Sequence, residues 1–140
     1  MSNVNDNELR QALSVLDAYK AQLEALTGQA QLFEMSLEET VRAKNTLEAM
    51  IAAKKGDTVL VPIGAATFVP MIVAGDVDAL VGVGSRVTVE KSLKDTIAYL
   101  DSNIEEISAA MKKATEAINN VDNEARKLSA AVQQEYQRRQ

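Results

Sequence analysis

The sequence predicts an α+β chain: a long antiparallel helical coiled coil with two tandem β-hairpins at one end, and hairpins that join an oligomeric β-barrel. Three observations carry this. Two arms of about 45 residues bear apolar residues three and four apart, the periodicity of a coiled coil. Between them, Thr58 to Lys91 changes chemistry: it is rich in Val, holds both prolines and most of the glycines, and has almost no charge before its end. That stretch also repeats itself twenty residues on, Val59-Leu60-Val61-Pro62-Ile63-Gly64-Ala65-Ala66-Thr67-Phe68-Val69 aligning with Ala79-Leu80-Val81-Gly82-Val83-Gly84-Ser85-Arg86-Val87-Thr88-Val89. Together they divide one unit over residues 1–140 into a helix at 5–55, hairpins at 58–91 and a helix at 92–137.

The first arm opens on Asn5-Asp6-Asn7-Glu8, where Asn5 can cap and Glu8 stands three residues on, as in a capping box. Its stripe runs Leu9, Leu13, Leu16, Leu23, Leu26, Ala30, Phe33, Leu37, Val41, Leu47, Ile51. Lys20 and Lys44 fall at seam positions and the step from Leu23 to Leu26 shifts the register, which predicts an imperfect seam with local unwinding. Lys54-Lys55-Gly56 reads as the helix end, with positive charge on the last turn and a glycine at the C′ position.

Each repeat of the middle stretch is a β-branched run, a glycine-containing turn and a second such run, which is a hairpin signal. Gly64 and Gly84 supply the φ freedom of tight turns, Pro62 and Pro70 belong at edges or bulges, and Ala74-Gly75-Asp76 links the two hairpins. A membrane helix is the rival reading, since Thr58 to Gly75 is uncharged and about eighteen apolar residues is the lower limit for a span. Two prolines and Gly64 lie inside it, its residues favour strands, and Asp76 and Asp78 follow at once, so hairpins are preferred.

Ser92-Leu93-Lys94-Asp95 reads as a second capping box. The stripe behind it alternates four and three without a break: Leu93, Ile97, Leu100, Ile104, Ile107, Met111, Ala114, Ile118, Val121, Ala125, Leu128, Val132. Arms of matching length, each about 65–70 Å, suggest that they fold back on each other. Ile51 then lies near Leu93, and Leu9 near Val132 to Tyr136. The alternative is that each helix pairs with another chain, because a seam does not name its partner.

Four strands leave long apolar edges, and an isolated hairpin is marginal in water. Val59, Val61, Ile63, Phe68, Val69, Ile72, Leu80, Val81, Val83, Val87 and Val89 are therefore assembly residues, completing a sheet or barrel with hairpins of other subunits. Val87 and Val89 alternate with Arg86, Thr88 and Glu90, so the last strand has one wet face.

Composition narrows the chemistry. With no Cys and no His, a cysteine nucleophile, the commonest general base and the commonest zinc ligand are missing, and no metal, cofactor or catalytic residue is expected. Gly82-Val83-Gly84 lacks the third glycine of a dinucleotide loop, no Walker loop occurs, and Glu38-Glu39 and Glu105-Glu106 read as solvated charge. A net charge of −5 with mixed signs argues against nucleic-acid binding. The polar, acidic start Met1-Ser2-Asn3-Val4-Asn5-Asp6 is unlike a signal peptide, and no membrane association is expected, so the expected location is the cytoplasm.

A helix, the hairpins "VLVPIGAATFV" and "ALVGVGSRVTVEKSL", and a returning helix resemble the α-class subunit of prefoldin over essentially the whole chain. Val61-Pro62-Ile63-Gly64-Ala65 and Val89-Glu90-Lys91-Ser92-Leu93 carry the resemblance most sharply. Ala66 departs from the Gly often found there, and Pro70-Met71 lacks the family's nearby basic residue. The resemblance implies a jellyfish-shaped hexamer of two α and four β subunits, with the hairpins in a double β-barrel. It implies an ATP-independent chaperone that captures unfolded polypeptides and passes them to a group II chaperonin.

Client binding is expected at the coiled-coil ends, through Val4, Leu9, Leu13 and Leu16 of one arm and Leu128, Val132 and Tyr136 of the other. Exposed apolar groups grip unfolded chains without sequence preference, and several ends add avidity. The plainer reading of these residues is an ordinary buried seam. Arg126, Lys127, Arg138 and Arg139 make the C-terminal end basic, either a solvated tail or a dock for the chaperonin. Met35, Met50, Met71 and Met111 read as gap-fillers. A structural coiled-coil tether without chaperone activity is the alternative function.

Overall fold

The computed structural model describes residues 5–140. Its elements are α1 (Asp6–Ala52), β1 (Thr58–Gly64), β2 (Thr67–Ile72), β3 (Asp78–Gly84), β4 (Val87–Ser92) and α2 (Leu93–Arg139). They fall into two compact units, Met1–Glu34 with Ala109–Gln140, and Met35–Ser108. The first, described from residue 5, contains the outer parts of both helices. The second contains the hairpins and the helix parts that flank them.

Local chemistry accounts for both helix starts. Asn5 and Glu8 form the reciprocal box: the Glu8 N–H donates to Asn5 Oδ1 at 2.9 Å and the Asn5 N–H to Glu8 Oε2 at 3.2 Å. At α2, the Asp95 N–H donates to Ser92 Oγ at 3.0 Å, and the Thr96 hydroxyl donates to the Ser92 carbonyl at 2.8 Å. The end of α1 differs from expectation. It stops at Ala52, and Lys54, Lys55 and Gly56 lie beyond it. Gly56, at φ 92°, occupies the third position of a turn in which the Asp57 N–H donates to the Lys54 carbonyl and the Lys54 N–H to Asp57 Oδ2. That turn feeds β1, since Gly56 and Val73, and Val73 and Asp57, are joined by backbone hydrogen bonds that extend the first hairpin.

In each unit the helices run antiparallel. Arg139 Nη1 lies 2.7 Å from Asp6 Oδ1 in the outer unit, and Lys44 Nζ lies 2.6 Å from Asp101 Oδ1 in the hairpin unit. Ile51 and Leu93 line a common groove, as the fold-back predicts. Half-buried residues of α1 trace a heptad as far as Leu47: Leu9, Ala12, Leu16, Tyr19, Leu23, Leu26, Ala30, Phe33 and, in the hairpin unit, Leu37, Thr40, Lys44, Leu47, with Gly28, Thr46 and Met50 half-buried beside it. Lys20 is exposed and Tyr19 takes the seam, while the alternation passes through Leu23 and Leu26 without a shift. Leu13, Val41 and Ile51 sit on the exposed side of the stripe. Lys44 does occupy the seam, and its hydrogen bond to Asp101, helped by the Glu48 carboxylate, raises its pKa.

Each hairpin is a separate two-stranded antiparallel sheet, β1 with β2 and β3 with β4. Registers are equivalent at the twenty-residue offset: Thr58 pairs Ile72 and Asp78 pairs Ser92, with a bulge between Pro62 and Gly64 and between Gly82 and Gly84. The turn residues are Ala65-Ala66 (φ 51° and 53°) and Ser85-Arg86 (φ 48° and 62°), two-residue loops with positive φ at both positions, as in a type I′ turn. Gly64 (φ 105°) and Gly84 (φ 109°) stand just before them, at the bulge. The glycines thus shape the bulge, and non-glycine residues occupy the left-handed centre.

Candidate functional site

Two surfaces contain the residues singled out in the sequence. The first is on the hairpins. Alternation along paired strands puts Leu60, Phe68, Pro70 and Ile72 on one face of the first hairpin and Val59, Val61, Val69 and Met71 on the other. Val59, Val61 and Val69 are half-buried within the chain, whereas Leu60, Ile63, Phe68 and Ile72 are open, Ile72 retaining 73% of its accessible surface. In the second hairpin Val81 is buried. Leu80, Val83, Val87 and Val89 are exposed, Leu80 at 72%. These eight exposed apolar side chains on so few strands form a surface that water does not favour.

Met71 is also exposed, as is Met35 on α1, so neither fills a gap; Met50 and Met111 are half-buried. Lys91, on β4, sits 5.5 Å above the ring of Tyr99 and anchors the second hairpin to α2 by a cation–π contact.

The second surface lies in the outer unit. Val4 lies outside the described residues. Leu9, Leu16 and Leu128 are half-buried and Val132 is buried, so these four pack in the seam, while Leu13 and Tyr136 are exposed. Beside the seam runs an open groove of about 550 Å³ lined by Ala12, Val15, Tyr19, Leu128 and Ala131 together with Glu8, Glu124 and Lys127. Ala12, Val15 and Tyr19 were missed from the sequence. Strict alternation counted from Leu9 would have placed Ala12 and Tyr19, but their smaller or more polar side chains drew less notice than Leu13.

The C-terminal cations are not an open basic patch. Arg126 pairs with Asp122 at 2.9 Å, Lys127 with Glu124 at 3.6 Å, and Arg138 and Arg139 both with Glu135, at 2.6 and 2.8 Å. Glu135, one step beyond Val132 in the heptad, is 6% exposed. The guanidinium of Arg138, then that of Arg139, pushes its carboxyl down to about 2. Tyr136, beside it, is exposed. Among the described residues no three His, Cys, Asp or Glu gather as a metal cage, and no helix is long and apolar enough to cross a membrane.

The comparisons with known proteins agree with this geometry. A family model described as Prefoldin subunit matches residues 19–138. The chain is 32% identical over 133 residues to the prefoldin subunit alpha of Methanoregula boonei, covering 95% of this chain and 86% of that one. It is 27% identical over 136 residues to the prefoldin subunit alpha of Pyrococcus horikoshii, covering 96% and 91%. Among solved structures, a filamentous PFD from Methanocaldococcus jannaschii superposes with a TM-score of 0.65 at 24% identity, over 84% of this chain and 97% of the other. The prefoldin beta subunit from Thermococcus strain KS-1 gives 0.60 at 18% identity, over 96% of both. At these identities the structural likeness is one of fold.

Proposed function

This chain belongs to the prefoldin subunit family, a family of chaperone subunits, and from that premise we propose that it is the α-type subunit of an ATP-independent holdase. Two copies join four β subunits through the hairpins, which complete a shared β-barrel. The helix ends hold unfolded polypeptides in the cytoplasm for a group II chaperonin. The observation that carries the assembly half is the open apolar face of the first hairpin, Leu60, Phe68, Pro70 and Ile72, none of them charged and all of them left exposed by the described residues. At about 25 cal/mol per Å² of apolar area, hairpins of neighbouring subunits are a strong driving force for closing it.

The client half rests on the outer groove and the seam beneath it. Val15 and Tyr19 already border open space, and separation of the helix ends would add Leu9, Leu16, Leu128 and Val132. Weak, non-directional contacts of this kind suit a client without fixed structure.

Native mass, measured for the chain alone and after mixing with a β-type prefoldin subunit, tests the assembly. A discrete hexamer with two copies of this chain is expected, and a monomer that ignores the partner overturns the proposal. Aggregation suppression by that hexamer, with and without residues 5–16 and 128–140 of this chain, tests the client half. Protection that does not depend on these ends overturns client binding there, and no protection at all would leave only a tether.

A further inference from the structure

We infer that the outermost layer of the coiled coil is an ionic latch, built from Asp6 on α1 and Glu135, Arg138 and Arg139 on α2, which closes the helix ends and releases them as ionic strength rises. Its use, the gating of client access, rests on the tip-binding reading above; its existence does not.

The heptad of α2 brings apolar residues to the seam at Leu128 and Val132, and its next position is Glu135. A carboxylate in that place, 6% exposed, would be costly without partners. Arg138 supplies two, with Nε donating to Oε2 at 3.0 Å and Nη2 to Oε1 at 2.6 Å. Arg139 Nε donates to Oε1 at 2.8 Å, and its Nη1 crosses to Asp6 Oδ1 at 2.7 Å. Asp6 lies in the first turn of α1, inside the Asn5–Glu8 capping box that holds that turn in helical form. A chain of hydrogen bonds therefore runs from the seam of one helix to the capped start of the other.

This layer differs in kind from those beneath it. Leu9, Leu128 and Val132 are apolar and at least half-buried, and their burial is not weakened by simple salt. The Arg139–Asp6 bridge is largely open to solvent on its Asp6 side and is screened. Added salt should thus loosen the end of the seam while leaving its interior closed, a gradient that an apolar layer at Glu135 would not produce.

The absence of cysteine allows the full chain to be spin-labelled at two exposed sites beside the latch, Asn7→Cys on α1 and Gln137→Cys on α2. Pulsed electron–electron distances are then compared in dilute buffer and in about 1 M salt, where the Debye length is about 3 Å. The separated fraction should rise about two- to fivefold in salt, the range for an exposed ion pair. Arg139→Gln should show that rise already in dilute buffer. Glu135→Leu, which continues the apolar seam, should stay closed in both. Identical distances in both buffers and in Arg139→Gln overturn the latch, as does a Glu135→Leu end that opens with salt like the parent. Aggregation suppression on the same samples separates the two ideas: a latch that responds as stated, with protection unchanged whether it is open or closed, stands while the tip-binding reading falls.

Discussion

The two hairpins have one backbone and two surfaces. At the twenty-residue offset they share length, register, bulge and turn. Yet Leu60, Phe68, Pro70 and Ile72 on one face of the first correspond to Leu80, Thr88, Glu90 and Ser92 in the second. The turn and bulge, set by Gly64 and Gly84 and the residues after them, dictate geometry and are indifferent to the outward side chains. Those side chains decide what can cover the sheet. The first hairpin presents an apolar open face; the corresponding face of the second is mostly polar. Duplication of a backbone thus does not duplicate its role.

The largest effect should come from giving the first hairpin the surface of the second. Phe68→Thr with Ile72→Ser removes two large apolar groups worth about 1.5–3 kcal/mol each when buried. It should weaken assembly with β-type subunits by about a hundredfold or more, read from native mass against concentration. An unchanged titration would show that this face is not the contact. Next, Gly64→Ala and Gly84→Ala force a side chain into left-handed backbone and should each cost about 1–2 kcal/mol. Matching losses in thermal unfolding support the equivalence of the two bulges, and a large disparity breaks it.

Ala66→Gly works in the opposite direction. It relieves a left-handed alanine at φ 53°, partly offset by the entropy of glycine, so a gain of about 0.5–1 kcal/mol is expected in denaturant titration. Similar in size is Lys91→Met, which puts into β4 the residue that β2 has at Met71. It should cost only the cation–π contact with Tyr99, about 0.5–1 kcal/mol.

The last prediction concerns charge that is locked in place. Glu90 lies open on its hairpin, whereas Glu135 is held by Arg138 and Arg139, with Asp6 facing them from α1. Its folded pKa of about 2 is below the ordinary 4.5. The stabilisation is therefore complete above about 4.5 and is lost as pH falls through about 2. Label distances in the outer unit should not change between pH 8 and 5 and should lengthen only in acid. Opening near neutral pH would mean that Glu135 is not held as described.

Much of this was legible because its causes are local. The box at Asn5 and Glu8, the cap at Ser92, the repeat and the α2 stripe all depend on residues within a few positions of one another. In α1 the seam differs from the expected stripe by one residue: Ala12, Tyr19 and Thr40 face it where Leu13, Lys20 and Val41 are expected. Leu13 and Val41 are the larger or more apolar of their pairs; Lys20 is not. The seam follows supercoil phase, which is set by alternation along the whole helix. Likewise Gly56 looked like a helix cap because its sequence suits one; its hydrogen bond to Val73, a distant residue, made it a turn instead.

Sequence alone determined the elements, their order and the hairpin repeat, since periodicity, caps and bulge glycines act over one or two turns of chain. Only tertiary structure decided which of two neighbouring residues enters the seam, that Ala65-Ala66 and Ser85-Arg86 accept left-handed backbone, and that Glu135 is tied through Arg139 to Asp6. Those outcomes depend on what stands opposite each residue, and residues far apart in the chain supply it.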